Sequence, residues 1–419
     1  MLTFIRRLIP RRIFNAFAPA YHYLWALLGA LIYRFPSRKI TVVAVTGTKG
    51  KTSVTELLAA MLEASGYTVA VSNTVRFKIG DLSERNLYKM SMPGRMFIQR
   101  FLRRAVAKGC SYAVLEMTSE GAKQFRHRFI DMDAVVFTNL SPEHIESHGS
   151  YEKYREAKLS IARALATSRK SRTLIVANAD EPEGSRFLAV KATERQAYSL
   201  RDIEPYEIKK EGASFTFEGR AVSSPLSGRF NLYNILAAAA TARRLGVSAD
   251  TIARVASTFA GIPGRLEHID EGQDFTVVVD YAHTADSLEK VYEVFQHAPK
   301  ICVLGGTGGG RDTGKRRVMG EIANVHCSEI ILTDEDPYDE DPMRIIAHIK
   351  EGIKKPARVI MDRREAIKTA LAMATTGDVV LITGKGTDPY IMGPRGTKTP
   401  WSDARVAREE LKTLVSAKQ

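Results

Sequence analysis

The segment TGTKGKTS, from Thr46 to Ser53, places two glycines, two lysines and four hydroxyls between an apolar run and an amphipathic one. Gly47 and Gly50 let backbone N–H groups approach phosphate, while Thr48, Lys49 and Ser53 complete the cradle. Lys51 supplies charge to the β and γ oxygens of a nucleotide, and the Thr52 hydroxyl is a ligand for Mg²⁺. The general phosphate-loop pattern needs glycine at position 45, where this chain has Val45, so the match is to a shorter GTxGKT[ST] form. Glu116 in LEMTSEG and His144 in NLSPEHIESHG each follow an apolar run and are further candidates for Mg²⁺. A histidine is an unusual ligand for so hard a cation, which prefers oxygen. The second half of the chain offers VVVDYAHT, GGTGGGRDTGKR and TDEDPYDEDP. Asp280 is placed to accept from ribose hydroxyls, and Arg311 and Lys315 to reach phosphate or developing charge. GGTGGG lacks the spacing of a dinucleotide fingerprint and reads equally well as a plain turn.

These residues need elements to hold them. ITVVAV (from Ile40), TVAVS (from Thr68), YAVLEM (from Tyr112), DAVVFTN (from Asp133) and TLIVAN (from Thr173) read as strands separated by helical patterns. A second set follows in FTVVVD (from Phe275), ICVLGG (from Ile301), EIILTD (from Glu329) and DVVLITG (from Asp378). Strands alternating with helices predict α/β domains with a mainly parallel sheet, whose ligands sit at the carboxyl ends of the strands. The GIPGR turn, Gly261 to Arg265, marks a boundary between a central domain, 40–262, and a C-terminal domain, 263–419.

Composition agrees with a soluble globular chain: 419 residues suit two domains, with 44% hydrophobic and 26% charged residues. Lys and Arg number 61 against 47 Asp and Glu, and the net charge of +14 suits an anionic partner. No aromatic and basic stacking pattern points to nucleic acid. Cys110, Cys302 and Cys327 are widely separated and are expected to stay unpaired in a reducing cytosol. Residues 1–39 differ from the rest. Arg6, Arg7, Arg11 and Arg12 precede an uncharged run from Ile13 to Tyr33, which Pro19 is expected to interrupt. The remaining helix, Ala20 to Tyr33, would reach only about 21 Å against a hydrocarbon core of roughly 30 Å. A helix through residues 1–38 that lies at the membrane surface, on the inner face of the cell membrane, or packs on the protein is therefore expected, without a cleaved signal.

Together with SMPG at Ser91, QFRHR at Gln124, FNLYN at Phe230, GRLE at Gly264, DYAHT at Asp280, GKGTDPY at Gly384 and SDARVA at Ser402, the motifs resemble the Mur ligase family. The resemblance runs in order from about residue 40 to the end and is strongest to the ligases that add the third residue of the peptidoglycan stem peptide. It implies a central ATP-binding domain with the phosphate loop and a Rossmann-like C-terminal domain, in a cytoplasmic enzyme expected to be monomeric. The implied reaction uses ATP and Mg²⁺. An acceptor carboxylate attacks the γ-phosphate, and an amino-acid amine then attacks the acyl phosphate. The resemblance assigns catalysis to Lys51, Lys158, Arg311 and His144, and metal binding to Thr52, Glu116, His144 and a carbamylated Lys158. It adds Asn234, Arg265, Asp280 and His283 to the nucleotide site. The substrates fall to Asn73, Ser91, Met92, Pro93, Ser119, Arg128, Asp336, Tyr338, Gly384 and Asp388.

Three departures matter. Only about forty residues precede the first strand, too few for the family's uridine-nucleotide domain; folylpolyglutamate synthase and cyanophycin synthetase resemble the same core without it. Glu120 stands where that branch usually has histidine. Asp336 and Tyr338 stand where its diaminopimelate-specific members have Asn and Arg. With carboxylates at Asp334, Glu335, Asp336, Asp339, Glu340 and Asp341 in one loop, a basic amino acid such as lysine is expected in preference to diaminopimelate.

Overall fold

The structure, a computed structural model, describes residues 11–94, 96–143, 145–209, 212–310 and 313–418. His144 and Arg311, both expected in catalysis, lie outside the described residues, as do Arg6 and Arg7. The chain forms two compact units, Met1–Phe259 and Ala260–Gln419.

In the first unit, helix α1 (Arg11–Ile32) leads into β1 (Thr41–Thr46), which passes through the loop to α2 (Lys51–Glu63). Next come β2 (Val69–Ser72), the hairpin β3 (Arg76–Ile79) and β4 (Leu82–Arg85), α3 (Phe97–Ala107), β5 (Tyr112–Glu116) and β6 (Ala134–Phe137). Helix α4 (Tyr151–Arg163), β7 (Leu174–Asn178) and β8 (Glu194–Tyr198) complete an eight-stranded sheet of order β4-β3-β2-β5-β1-β6-β7-β8. Its strands pair in parallel except at β2–β3 and β3–β4. Three short antiparallel strands, β9 (Glu207–Lys209), β10 (Gly212–Phe217) and β11 (Arg220–Ser224), precede α5 (Arg229–Arg244). Alternation along β1 explains the layers. Val43 and Val45 pack with Leu57 and Leu58 of α2 and Leu236 of α5, while Val42 and Ala44 face Leu102 of α3 and Leu159 of α4.

In the second unit, β12 (Glu267–Ile269), β13 (Thr276–Asp280), β14 (Lys300–Leu304), β15 (Glu329–Leu332), β16 (Arg358–Val359) and β17 (Val379–Thr383) form a sheet of order β12-β13-β17-β14-β15-β16. Only β12 pairs antiparallel. Helices α6 (Ala285–Val294) and α7 (Gly314–His326) cover one face, and α8 (Arg363–Met373) and α9 (Asp403–Lys418) the other.

Two expectations are corrected. Helix α1 runs through Pro19 instead of starting after it. Pro19 is exposed, so water can satisfy the carbonyl that its missing N–H leaves free. Cys302 and Cys327 are joined by a disulfide, with Cα atoms 6.0 Å apart, and only Cys110 is free. Their wide spacing in sequence was a poor guide, because β14 lies beside β15 in parallel and the end of α7 returns Cys327 to the start of β15.

Candidate active site

The phosphate-binding loop joins β1, an interior strand of the first sheet, to the N-terminus of α2. Both glycines are required by shape. Gly47 has φ 147° and a Cβ there would collide with Thr138 Oγ1, while Gly50 has φ 80° and a Cβ would strike Asn234 Oδ1. The segment after β6 braces the loop. Thr48 N donates to Asn139 O at 2.8 Å, Lys49 N to Asn139 Oδ1 at 2.9 Å, and Thr138 Oγ1 to Lys49 O at 2.7 Å. The Thr48 hydroxyl lies 3.0 Å from Tyr154 OH on α4. Lys49 pairs with Glu143 at 3.1 Å. Thus Asn234, expected in the nucleotide site, lies against Gly50 of the loop, whereas Thr138, Asn139, Glu143 and Tyr154 were missed. Asparagine in NLSPEH carries no signal of its own until the strand order brings it to the loop.

The charged groups converge here. Lys51 Nζ donates to Gly47 O at 3.1 Å and Thr48 O at 2.8 Å. Lys158, buried on α4, donates to the same Gly47 O at 2.5 Å. Burial and then the neighbouring Lys51 drive the Lys158 amine well below the ordinary lysine range. Thr52 Oγ1 donates to Glu116 Oε2 at 2.8 Å, and Thr74 Oγ1 to Glu116 Oε1 at 2.9 Å. A hydroxyl and a carboxylate at a phosphate loop form the oxygen-rich donor set that suits Mg²⁺. Among the described residues no group of three acidic, histidine or cysteine side chains could hold a metal unaided, so phosphate, water or a modified lysine must complete such a shell. Ser53 lies in the first turn of α2.

The expected substrate residues divide. Ser91, Met92 and Pro93 are buried beside the site, and the Ser91 hydroxyl is buried without a partner. Met92 packs so closely on Gly121 that a Cβ there would meet its sulfur. Asn73 is committed internally: its amide donates to Thr55 and Glu56 and accepts from the N–H groups of Val75 and Arg76. Ser119 Oγ lies 3.2 Å from His148 Nε2, which also contacts Glu120 at 3.2 Å. That hydrogen bond draws the Glu120 carboxyl down to about 2, so the residue that departs from the expected histidine is held by another histidine. Arg128 is half-buried, with Nε lacking a partner.

In the second unit, Asp280 accepts from Leu266 N and Ala282 N, each at 2.7 Å. Arg265 stacks over Tyr281 at 4.4 Å, and His283 Nδ1 donates to Tyr281 O at 2.7 Å. The acidic loop is largely neutralised, which corrects the charge argument for a basic amino acid. Buried Lys385 binds Asp336 at 2.7 Å and Asp388 at 3.4 Å. Fully buried Arg316 clamps Glu340 at 2.6 and 2.8 Å, Asp341 caps a helix, and Asp339 accepts from Arg395 N. Lys385 and Arg316 were missed because neither lies in the acidic run that they balance. Glu335 remains buried with Oε2 lacking a partner, against Gly384, and burial pushes its carboxyl up. Tyr338, at φ 53°, packs beside Gly309.

Two family matches cover these sites: the Mur ligase middle domain over residues 45–242, and the Mur ligase glutamate ligase domain over residues 264–386. The chain is 35% identical over 406 residues to a UDP-N-acetylmuramoyl-L-alanyl-D-glutamate–2,6-diaminopimelate ligase of Syntrophomonas wolfei, covering 93% of this chain and 82% of that protein. It is 36% identical to a UDP-N-acetylmuramyl-tripeptide synthetase of Roseiflexus, with the same coverage. A solved diaminopimelate ligase structure matches with a TM-score of 0.62 at 30% identity, over 90% of this chain and 79% of that one. A folylpolyglutamate synthase of Mycobacterium tuberculosis reaches a TM-score of 0.69 at 16% identity, covering 93% and 94%, and shares the fold. With its loop, bracing segment and both domain matches in order, the chain belongs to the Mur ligase family of ATP-dependent, amide-bond-forming ligases.

Proposed function

We propose that this ligase joins an amino acid to the peptide carboxylate of a UDP-N-acetylmuramoyl-peptide acceptor in the cytoplasm. The observation that carries the reading is the convergence of Lys51, Lys158 and the Thr52–Glu116 pair on one glycine-walled loop. The loop N–H groups and Lys51 hold the nucleotide phosphates in line with the acceptor carboxylate. Attack of that carboxylate on the γ-phosphorus forms a C–O–P linkage and releases ADP. The amine nitrogen then attacks the acyl carbon, phosphate leaves with the C–O bonding pair, and the ammonium proton passes to solvent or a base. Mg²⁺, held through Thr52 and Glu116, supplies neutralisation of the phosphoryl oxygens when bound. The buried, deprotonation-prone Lys158 amine can add to CO₂ and lose a proton, which turns a cation into an oxygen donor facing the same phosphates.

The incoming amino acid is one without a second carboxylate to clamp, lysine being the leading case. Tyr338 offers no guanidinium to clamp a second carboxylate. Residues 1–38 give peripheral contact with the inner face of the membrane.

The test incubates the purified chain with ATP, Mg²⁺, UDP-N-acetylmuramoyl-L-alanyl-D-glutamate and mixed amino acids, and reads ADP and new amide mass. Lys51→Ala should lower acceptor-dependent ADP release at least about a hundredfold while leaving the melting temperature unchanged. Unaltered turnover in that variant would overturn the assignment of the loop.

A further inference from the structure

We infer that α3 is an anionic-lipid binding ridge which, with α1, seats the enzyme on a bilayer. This deepens the proposed contact of residues 1–38 and rests on it. A surface helix normally turns its polar face outward. Helix α1 does the opposite: Ala26 and Ala30 are buried, while Phe17, Leu24, Leu28, Leu31 and Ile32 are exposed, at 70% for Phe17 and 61% for Leu24. At about 100° per residue, those five fall within one outward arc of roughly 120°. Among the described residues no helix is long and apolar enough to cross a membrane, so the stripe suits a surface.

The inner side of α1 packs on α3, where a Cβ on Gly29 would meet Met96 Cγ at 3.3 Å and Gln99 Cγ at 3.6 Å. Beside that contact, α3 presents Arg100, Arg103 and Arg104, all exposed, within about a third of its circumference. Beyond the arginines lies a cleft of about 90 Å³ walled by Phe77, Tyr88, Phe97 and Phe101, with Arg100 and Arg104 at its edge and one carboxylate, Glu84. Cations between apolar flanks match the phosphates and acyl boundary of an anionic leaflet. A second copy packed about a twofold axis on this face would set like-charged ridges against each other. The acceptor motif Ser91–Pro93 lies only a few residues before α3, so docking would hold the acceptor site next to the lipid surface.

The full chain is mixed with vesicles of phosphatidylcholine alone or with phosphatidylglycerol, and binding is read by flotation. ATP binding by each variant serves as the folding control. Wild type should favour the anionic vesicles and release at high salt. The triple variant Arg100→Glu, Arg103→Glu, Arg104→Glu should bind them roughly a hundredfold more weakly, and Leu24→Glu with Leu28→Glu should weaken binding to any vesicle. If the triple variant binds like wild type while the leucine variant does not, the ridge is refuted and the peripheral contact of residues 1–38 stands. If wild type binds no vesicle, both fall. A lipid-free dimer abolished by the leucine substitutions would assign the face to a second copy and overturn the inference.

Discussion

One backbone carbonyl, Gly47 O, receives both Lys51 and Lys158. The phosphate loop therefore holds its own cations until an anion competes for them. Lys158 carries the larger energetic consequence, since burying an amine among cations favours its neutral form. A base whose folded pKa is depressed makes the unfolded state bind more protons, so stability rises with pH through this window. The penalty fades as pH climbs toward the ordinary lysine value of 10.5. Lys158→Met should therefore stabilise the protein at neutral pH by about 1–3 kcal/mol and gain progressively less in alkaline buffer, while losing turnover. Melting curves across pH decide it, and a destabilised Met variant would contradict the burial argument. Tyr338 supports a second expectation at this scale. With lysine and diaminopimelate at equal concentration, wild type should incorporate lysine preferentially, and Tyr338→Arg should move the product ratio toward diaminopimelate by about tenfold, the worth of one charge-assisted pair. Product masses from the competition read the ratio directly, and an unchanged ratio would place selectivity elsewhere.

Elements decide where such residues end up. Gly50 opens α2 at φ 80° with Asn234 of α5 against it, so Gly50→Ala should cost about 1–3 kcal/mol and abolish the rise in melting temperature caused by ATP. A variant that kept the full ATP-induced rise would show that the contact with Asn234 can yield. The strands carrying the loop were legible because continuous apolar runs such as TVVAV and TVVVD are what a doubly covered parallel sheet demands. The hairpin β3–β4 was not, since its exposed residues, LSER among them, show no burial pattern. The phosphate loop and Glu116 were legible for a similar reason: local spacing and a strand end suffice. Asn139, Tyr154, Lys385 and Arg316 were hidden because each acts across a distance that only strand order closes. Arg316, fully buried against Glu340, closes GGTGGGRDTGKR, where only Arg311 and Lys315 were given a role.

On the scale of the whole chain, α1 packs onto the rest of the first unit through Gly29 against α3 and Tyr23 against Phe125 and Phe129. Ser37 and Arg38 are tied in more deeply: the Ser37 hydroxyl accepts from Asp131 N, and Arg38 pairs with the Asp131 side chain at 3.0 Å. Deleting residues 1–33 should thus leave only weak, salt-sensitive binding to anionic vesicles through α3 and retain turnover of a soluble acceptor within about twofold, whereas a cut after residue 38 should also lower the melting temperature. Assays of both truncations test this, and loss of turnover in the shorter deletion would give α1 a part in catalysis. The Cys302–Cys327 bond, finally, joins two buried residues separated by 25 positions. Since a thiolate must reach a sulfur to exchange with it, that bond would open mainly when the second unit does. The molecule would then carry a record of its past: oxidised and reduced populations could persist side by side in one preparation, identical in sequence and charge but differing in history.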